Sequence, residues 1–347
     1  MKEKNEIRII ILGLIISLII SSAAMPKVGA ELISSATLFS SDSKSSSKKE
    51  PSFEPDEIKA ESASVSSVSS KTEETKQEKK PAKKEKEEGK ILSQFFSPSS
   101  ATDSFGTAYL NNRSGQSVDI KSLLEGENTA LDFGSQKPQV LIVHTHATEN
   151  YMNTDKDYYT ASDLERTKKE NESVIGVGSK IAALLEKEGI SVIHDKTLHD
   201  YPSYSGAYSR SYETTSSYLK KYSSIKLVLD IHRDAIASGD DLIKPVTEID
   251  GKNAAQVMIC VGSQTGVVAD FPNWKKNLAL GLRLHKSIEA LYPGLARPLY
   301  LAYEREYNQS LHQGSLIIEF GTNANTFFEA EYSAQLVANA IIATFRN

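Results

Sequence analysis

Short runs of apolar residues alternate with amphipathic stretches over the last two thirds of the chain. Val140-Leu141-Ile142-Val143 is an unbroken apolar run that stops at a polar cluster, as a strand buried on both faces does. Val174 to Val177, Ile181-Ala182 and Leu184-Leu185 keep a helical period that ends at Glu188-Gly189, a helix stop signal. Ile190 to Ile193 predicts a second strand, Tyr208 to Tyr222 a helix, and Lys226 to Ile231 a third strand. Val257 to Val261 predicts a fourth strand, Trp274 to Leu291 a long helix, Leu316 to Glu319 a fifth strand, and Glu329 to Phe345 a closing helix. This alternation predicts an α/β fold: a single, mostly parallel sheet with helices on both faces. Its reactive groups are then expected at the carboxyl ends of the strands.

The pattern upstream is different. Lys2, Lys4 and Arg8 precede the uncharged stretch Ile9 to Met25, whose 17 residues lie at the short end of the roughly 17–25 needed to span a bilayer. Val28-Gly29-Ala30 offers a small-residue cleavage site, so a signal peptide is the competing reading. Either way the positive N-terminus stays inside and the remainder lies outside the cytoplasm; a single-pass signal anchor over residues 1–30 is the expectation. Residues 31–100 are rich in Ser, Lys and Glu. Too few apolar groups are present to offset backbone ordering at about 1–2 kcal/mol per residue, which predicts a disordered tether. Residues 101–134 are expected to form a poorly defined lead-in, and 135–347 the folded domain that carries whatever chemistry the chain performs.

Composition adds two exclusions. A net charge of −5 gives no basic face for nucleic acid. The one cysteine, Cys260, lies inside the run Val257 to Val261; an intrachain disulfide is impossible, and a buried, inert thiol is expected.

Ionisable groups sit at three strand ends. The first strand runs into His144-Thr145-His146 with Glu149 beyond, the third into His232-Arg233-Asp234, and the fifth ends on Glu319. Two imidazoles and a carboxylate are a zinc set that leaves a fourth position for water, whose pKa zinc lowers toward about 7. A second carboxylate nearby serves as general base and then acid. Periodicity does not separate His144 from His146, because both project to one face if the strand continues. His194, His199 and His312 have a bland reading as loop histidines. Tyr201, Tyr204, Tyr208 and Tyr212 recur at helical spacing and read as a packing face.

These motifs resemble a family. His144-Thr145-His146-Ala147-Thr148-Glu149, Asp230-Ile231-His232-Arg233-Asp234, Tyr307-Asn308-Gln309 and Ile317-Ile318-Glu319-Phe320-Gly321 look like stage II sporulation protein P, as do Asp270 to Trp274 and Tyr292 to Leu295. The resemblance covers roughly residues 140–347. More distantly the chain is similar to zinc N-acetylmuramoyl-L-alanine amidases, whose two histidine ligands would fall on His146 and His232 and whose catalytic glutamate would fall on Glu319. Those amidases draw a further glutamate ligand from the start of the first helix, where this chain reads Lys169-Glu170-Asn171-Glu172-Ser173. Glu149 is the candidate replacement, with Glu170, Glu172 and His144 as alternatives.

The resemblance implies a zinc-dependent peptidoglycan hydrolase of the sporulation septum. It would cut the amide between muramic acid and the stem peptide, and the family is also credited with cutting peptide cross-links. Stage II sporulation proteins D and M are its implied partners during engulfment. Arg233 and Asn308 are the candidate substrate contacts, Arg233 toward a substrate carboxylate or oxyanion unless it pairs with Asp234. The rival reading is a non-catalytic wall-binding or complex-organising module on a membrane tether.

Overall fold

The computed structural model describes residues 85–265, 268–303 and 305–346. The expected anchor and most of the expected tether lie outside these residues. No helix among the described residues is long and apolar enough to cross a membrane.

The main sheet has eight strands in the order β2-β3-β12-β11-β13-β7-β4-β6. At its centre lie β13 (Ser315–Thr322), β7 (Leu227–Asp234) and β4 (Val140–Val143), all parallel. β6 (Val192–His194) extends it beyond β4. On the other side β11 (Val257–Val261) runs antiparallel to β13, and β12 (Leu299–Leu301) and β3 (Ala108–Asn112) continue in parallel. β2 (Asp103–Phe105) closes that edge as an antiparallel partner of β3. The sheet is therefore mixed, mostly parallel as expected, with β11–β13 and β2–β3 as the antiparallel pairs.

Side-chain alternation decides what each face meets. Val140 and Ile142, Leu227, Leu229 and Ile231, and Leu316, Ile318 and Phe320 all join one large core. Covering that face are α2 (Val174–Lys187), α4 (Trp274–Leu291) and α5 (Phe327–Phe345), through residues such as Ile181, Leu282 and Ile341. Leu141, Val143 and Val228 point the other way and pack beneath Tyr218 and Leu219 of α3 (Ala207–Lys221). The buried face of α3 is small and hydroxylic, Ala207, Ser211 and Thr215. Polar groups on the same side of β7 and β13 can therefore be buried beneath it with hydroxyl partners at hand.

Several expectations are corrected. A second sheet exists, in the order β10-β9-β1-β5, with β8 (Ala237–Ser238) beside β9. Its strands are β10 (Lys252–Ala255), β9 (Asp241–Ile249), β1 (Glu87–Gln94) and β5 (Tyr158–Thr160). The tether was expected to reach residue 100, yet β1 pairs with β9 and β5. The lead-in supplies β2, β3 and the short helix α1 (Ile120–Glu125), whose Ile120 enters the main core. These strands escape a pattern reading for physical reasons. β1 buries only Ile91, β2 buries nothing, and β9 carries Pro245 in its middle, a residue that ordinarily argues against a strand.

Candidate metal centre

β4 stops at Val143, and the two histidines that follow part company. His144 continues the alternation toward α2. Its Nδ1 lies 3.1 Å from the Ile231 carbonyl and its Nε2 2.8 Å from Nε2 of His194. A Cβ at Gly178 of α2 would fall 2.7 Å from its ring, so glycine there is what lets the helix close over the imidazole. Burial, with His194 beside it, pushes the His144 pKa down to about 3. Both nitrogens are engaged, and among the described residues the ring is not part of the His146–Glu149–His232 group. The chain then turns. The Thr145 N–H donates to Asp230, and the Glu149 N–H closes onto the His146 carbonyl at 3.1 Å. That turn brings side chains three residues apart onto one side.

The cluster that results joins His146, Glu149 and His232. One ligand atom from each lies within 4.8 Å of the others. Glu149 Oε1 is 3.5 Å from His146 Nδ1 and Oε2 is 3.4 Å from His232 Nδ1. The two imidazoles stand nearly perpendicular, with centroids 5.1 Å apart. Tetrahedral ligands with bonds of about 2.0–2.1 Å are separated by about 3.3 Å, so the residues present fit a zinc ion. Burial raises the Glu149 pKa, but contacts with His146 and His232 and the charge of Arg233 outweigh it and hold the carboxyl well below its usual range. Burial lowers that of His232, while Asp230 and Glu149 more than reverse this and hold it well above the ordinary value. The Arg233 N–H donates to Glu149 Oε2 at 3.1 Å, the oxygen that also faces His232 Nδ1.

Glu319 joins this group through strand register. In the parallel ladder it is the partner of His232, and the alternation that buries Ile318 and Phe320 in the main core turns Glu319 toward the α3 side. Its Oε2 is buried without a hydrogen-bond partner. Burial lifts the carboxyl to about 8; Asp234 and Glu149 add to the rise, and His232 and Arg297 oppose it. General bases and acids work best when their proton affinity lies near the working pH.

The walls hold what a packing reading of the tyrosines missed. Tyr204 stacks on His146 at 4.5 Å between centroids, and Tyr208 meets the same ring edge-on at 5.5 Å. Arg166 lies over Tyr204 and pairs with the buried Asp200 at 2.7 Å. The four-residue spacing of Tyr204 and Tyr208 was the available signal. Tyr201 and Tyr212 are exposed.

Other candidates are placed elsewhere. The Glu170 carboxylate meets Ser179 and Lys196, and that of Glu172 meets Lys169 and Thr167. Only their backbone comes near, with the Glu172 carbonyl accepting from Tyr151 N–H. His199 lies between the His144 carbonyl and Thr214 Oγ1, and His312 Nδ1 accepts from Gly314 N–H; both are satisfied structural histidines. Arg233 does not bind the Asp234 carboxylate, which Arg297 occupies at 2.9 Å. Its guanidinium donates instead to the Asn150 and Asp234 carbonyls. The Asn308 amide donates to the Tyr208 carbonyl and to Ser211 Oγ, tying its turn to α3.

Comparison with known proteins adds the following. The family model of stage II sporulation protein P matches residues 27–342. A protein of that name from Bacillus subtilis (strain 168) is 30% identical over 215 residues, 58% of this chain and 50% of that protein's length; the match thus spans half of the relative. Among solved structures, the apo N-acetylmuramyl-L-alanine amidase Ami1 of Mycobacterium abscessus is 15% identical, covers 60% of this chain and 99% of its own, and has a TM-score of 0.34. The CwlD amidase of Clostridioides difficile, solved in complex with the GerS lipoprotein, is 11% identical over 59% and 98% of the two chains, with a TM-score of 0.36.

Proposed function

The chain belongs to the stage II sporulation protein P family, and we propose that it is a zinc-dependent peptidoglycan hydrolase, cutting the amide between muramic acid and L-alanine. The observation that carries this is the meeting of His146, Glu149 and His232 beside Glu319, whose buried Oε2 has no hydrogen-bond partner. His146 and His232 through Nδ1, and Glu149 through its carboxylate, would hold the ion. Zinc so held would supply a Lewis acid and lower the pKa of water toward about 7.

The remaining work falls to this chain's own groups. Glu319 takes a proton from the attacking water. It returns that proton to the amide nitrogen as the C–N bond breaks and the hydroxyl joins the carbonyl carbon, leaving a free amine and a carboxylic acid. Its environment supports the role, since burial raises the proton affinity of the carboxyl from the ordinary carboxylate range toward the region where general acids and bases work. Arg233 orients Glu149 through its backbone N–H, and its guanidinium is our candidate for a substrate carboxylate or the oxyanion. Asn308 acts through α3, holding Tyr208 against His146. Cleavage of stem-peptide cross-links, action at the sporulation septum during engulfment, cooperation with stage II sporulation proteins D and M, and a membrane-anchored position outside the cytoplasm belong to the same proposal.

The test is mass spectrometry of peptidoglycan digested by the full-length protein, with its zinc content measured alongside. Release of stem peptides with free L-alanine amino groups, lost on chelation and restored by zinc, is expected. Bound peptidoglycan with no released product would instead favour the wall-binding module.

A further inference from the structure

Asp230 lies in the middle of β7, on a strand otherwise apolar up to His232. Alternation places Val228, Asp230 and His232 on the α3 side. The Asp230 side chain is 9% exposed, and a buried carboxylate is costly unless hydrogen-bonded and paired. Its contacts are few and specific. Oδ1 accepts the Thr145 N–H at 2.8 Å and Oδ2 accepts the Thr145 hydroxyl at 2.6 Å. Among the described residues its ion-pair partner is the His232 ring, with Nε2 3.0 Å from Oδ1. That approach is close but off the N–H direction, so Nε2 has no linear hydrogen bond; Asp230 is nonetheless the carboxylate at its side.

One carboxylate thus touches both arms of the centre. It flanks His232 on the nitrogen opposite Nδ1, which lies beside Glu149. It also grips Thr145, the residue before His146, at the turn that delivers His146 and Glu149. Thr145 Oγ1 lies 2.8 Å from Ser211 Oγ, which also accepts from Asn308, so the clamp extends into α3. Histidine ligands of metals generally give their second ring N–H to a carboxylate or carbonyl, which settles the tautomer and the ring's orientation.

We propose that Asp230 is a positioning residue that holds His232 with its Nδ1 toward the metal and, through Thr145, sets where His146 stands relative to it. This rests on the zinc reading above.

The experiment measures zinc affinity by chelator competition and the absorption spectrum of the cobalt-substituted form, using the full-length protein in detergent. Asp230→Asn keeps the size and one acceptor for Thr145 but removes the charge beside Nε2. It is expected to bind zinc about 10–100-fold more weakly and to shift the cobalt bands, while its metal-free form stays folded by circular dichroism. Thr145→Val loosens the carboxylate without touching the ring, and should weaken zinc in the same direction by less. An unchanged affinity, or a cobalt spectrum unmoved in Asp230→Asn, would overturn the inference. If that variant does not fold, an unchanged zinc affinity in Thr145→Val overturns it instead. Wild-type protein that binds no zinc would sink the metal reading itself. Zinc lost in His146→Ala but kept in Asp230→Asn would sink the positioning role alone.

Discussion

Glu319 and His232 are partners in the parallel β13–β7 ladder, on the face that α3 covers. The carboxyl we propose for proton transfer and an imidazole of the cluster are thereby held by two adjacent strands. Backbone hydrogen bonds set their spacing, and burial sets the carboxyl's proton affinity at about 8.

Replacing Glu319 with Gln keeps size and polarity but removes the proton acceptor. Because Glu319 stands outside the His146–Glu149–His232 cluster, Glu319→Gln should fold and retain zinc. Stem-peptide release should slow at least about a hundredfold, within the range of general acid–base groups. Quantified muropeptide release checks this, and a variant with wild-type turnover would refute the role.

Glu149→Gln and Glu170→Gln separate two readings of the third ligand. Glu149 lies 3.4 and 3.5 Å from the two Nδ1 atoms, whereas Glu170 pairs with Lys196 at the surface. Zinc stoichiometry should fall sharply in Glu149→Gln, as in His146→Ala and His232→Ala, and stay at the wild-type level in Glu170→Gln. The reverse outcome would move the ligand to the start of α2.

Acid should destabilise the fold through buried neutral histidines. Burial holds His144 at about 3 and His194 and His285 at about 4, all below an unfolded value of about 6.5. Each folded pKa is depressed, so the unfolded chain takes up protons first as pH falls. The contribution of these three histidines is therefore full above about pH 6.5 and declines from there to about 4, with slope set by the excess protons bound on unfolding. His285 Nδ1 faces Tyr109 N–H and its Nε2 faces the Arg297 carbonyl, so His285→Gln keeps a polar group there without the titration. Thermal melts from pH 4 to 7 should show a shallower decline in that variant, by about one proton. A flat stability profile in the wild type would contradict the assignment.

The strands that matter, and the faces they present, can be read from the order of residues alone. Val140 to Val143, Leu227 to Ile231 and Leu316 to Glu319 are readable because a strand buried on both faces needs an unbroken apolar run. The two-residue period then decides that Asp230 and His232 share a side. The long helices are readable too, since Trp274 to Leu291 and the C-terminal helix have an apolar stripe long enough to read.

How those faces meet is set by contacts between segments far apart in the chain. Which histidine after β4 reaches the cluster depends on a turn tied down by Asp230, 85 residues away, and on the space that Gly178 leaves above His144. Glu149 stands beside both imidazoles because the same turn folds back, while the Glu170 and Glu172 carboxylates are drawn to lysines. Tyr204 on His146, the β1–β9 pairing and the place of β3 beside β12 are equally long-range. Local sequence governs period and propensity, but register and side-chain partnership come from contacts between distant segments, whose energies no short window contains.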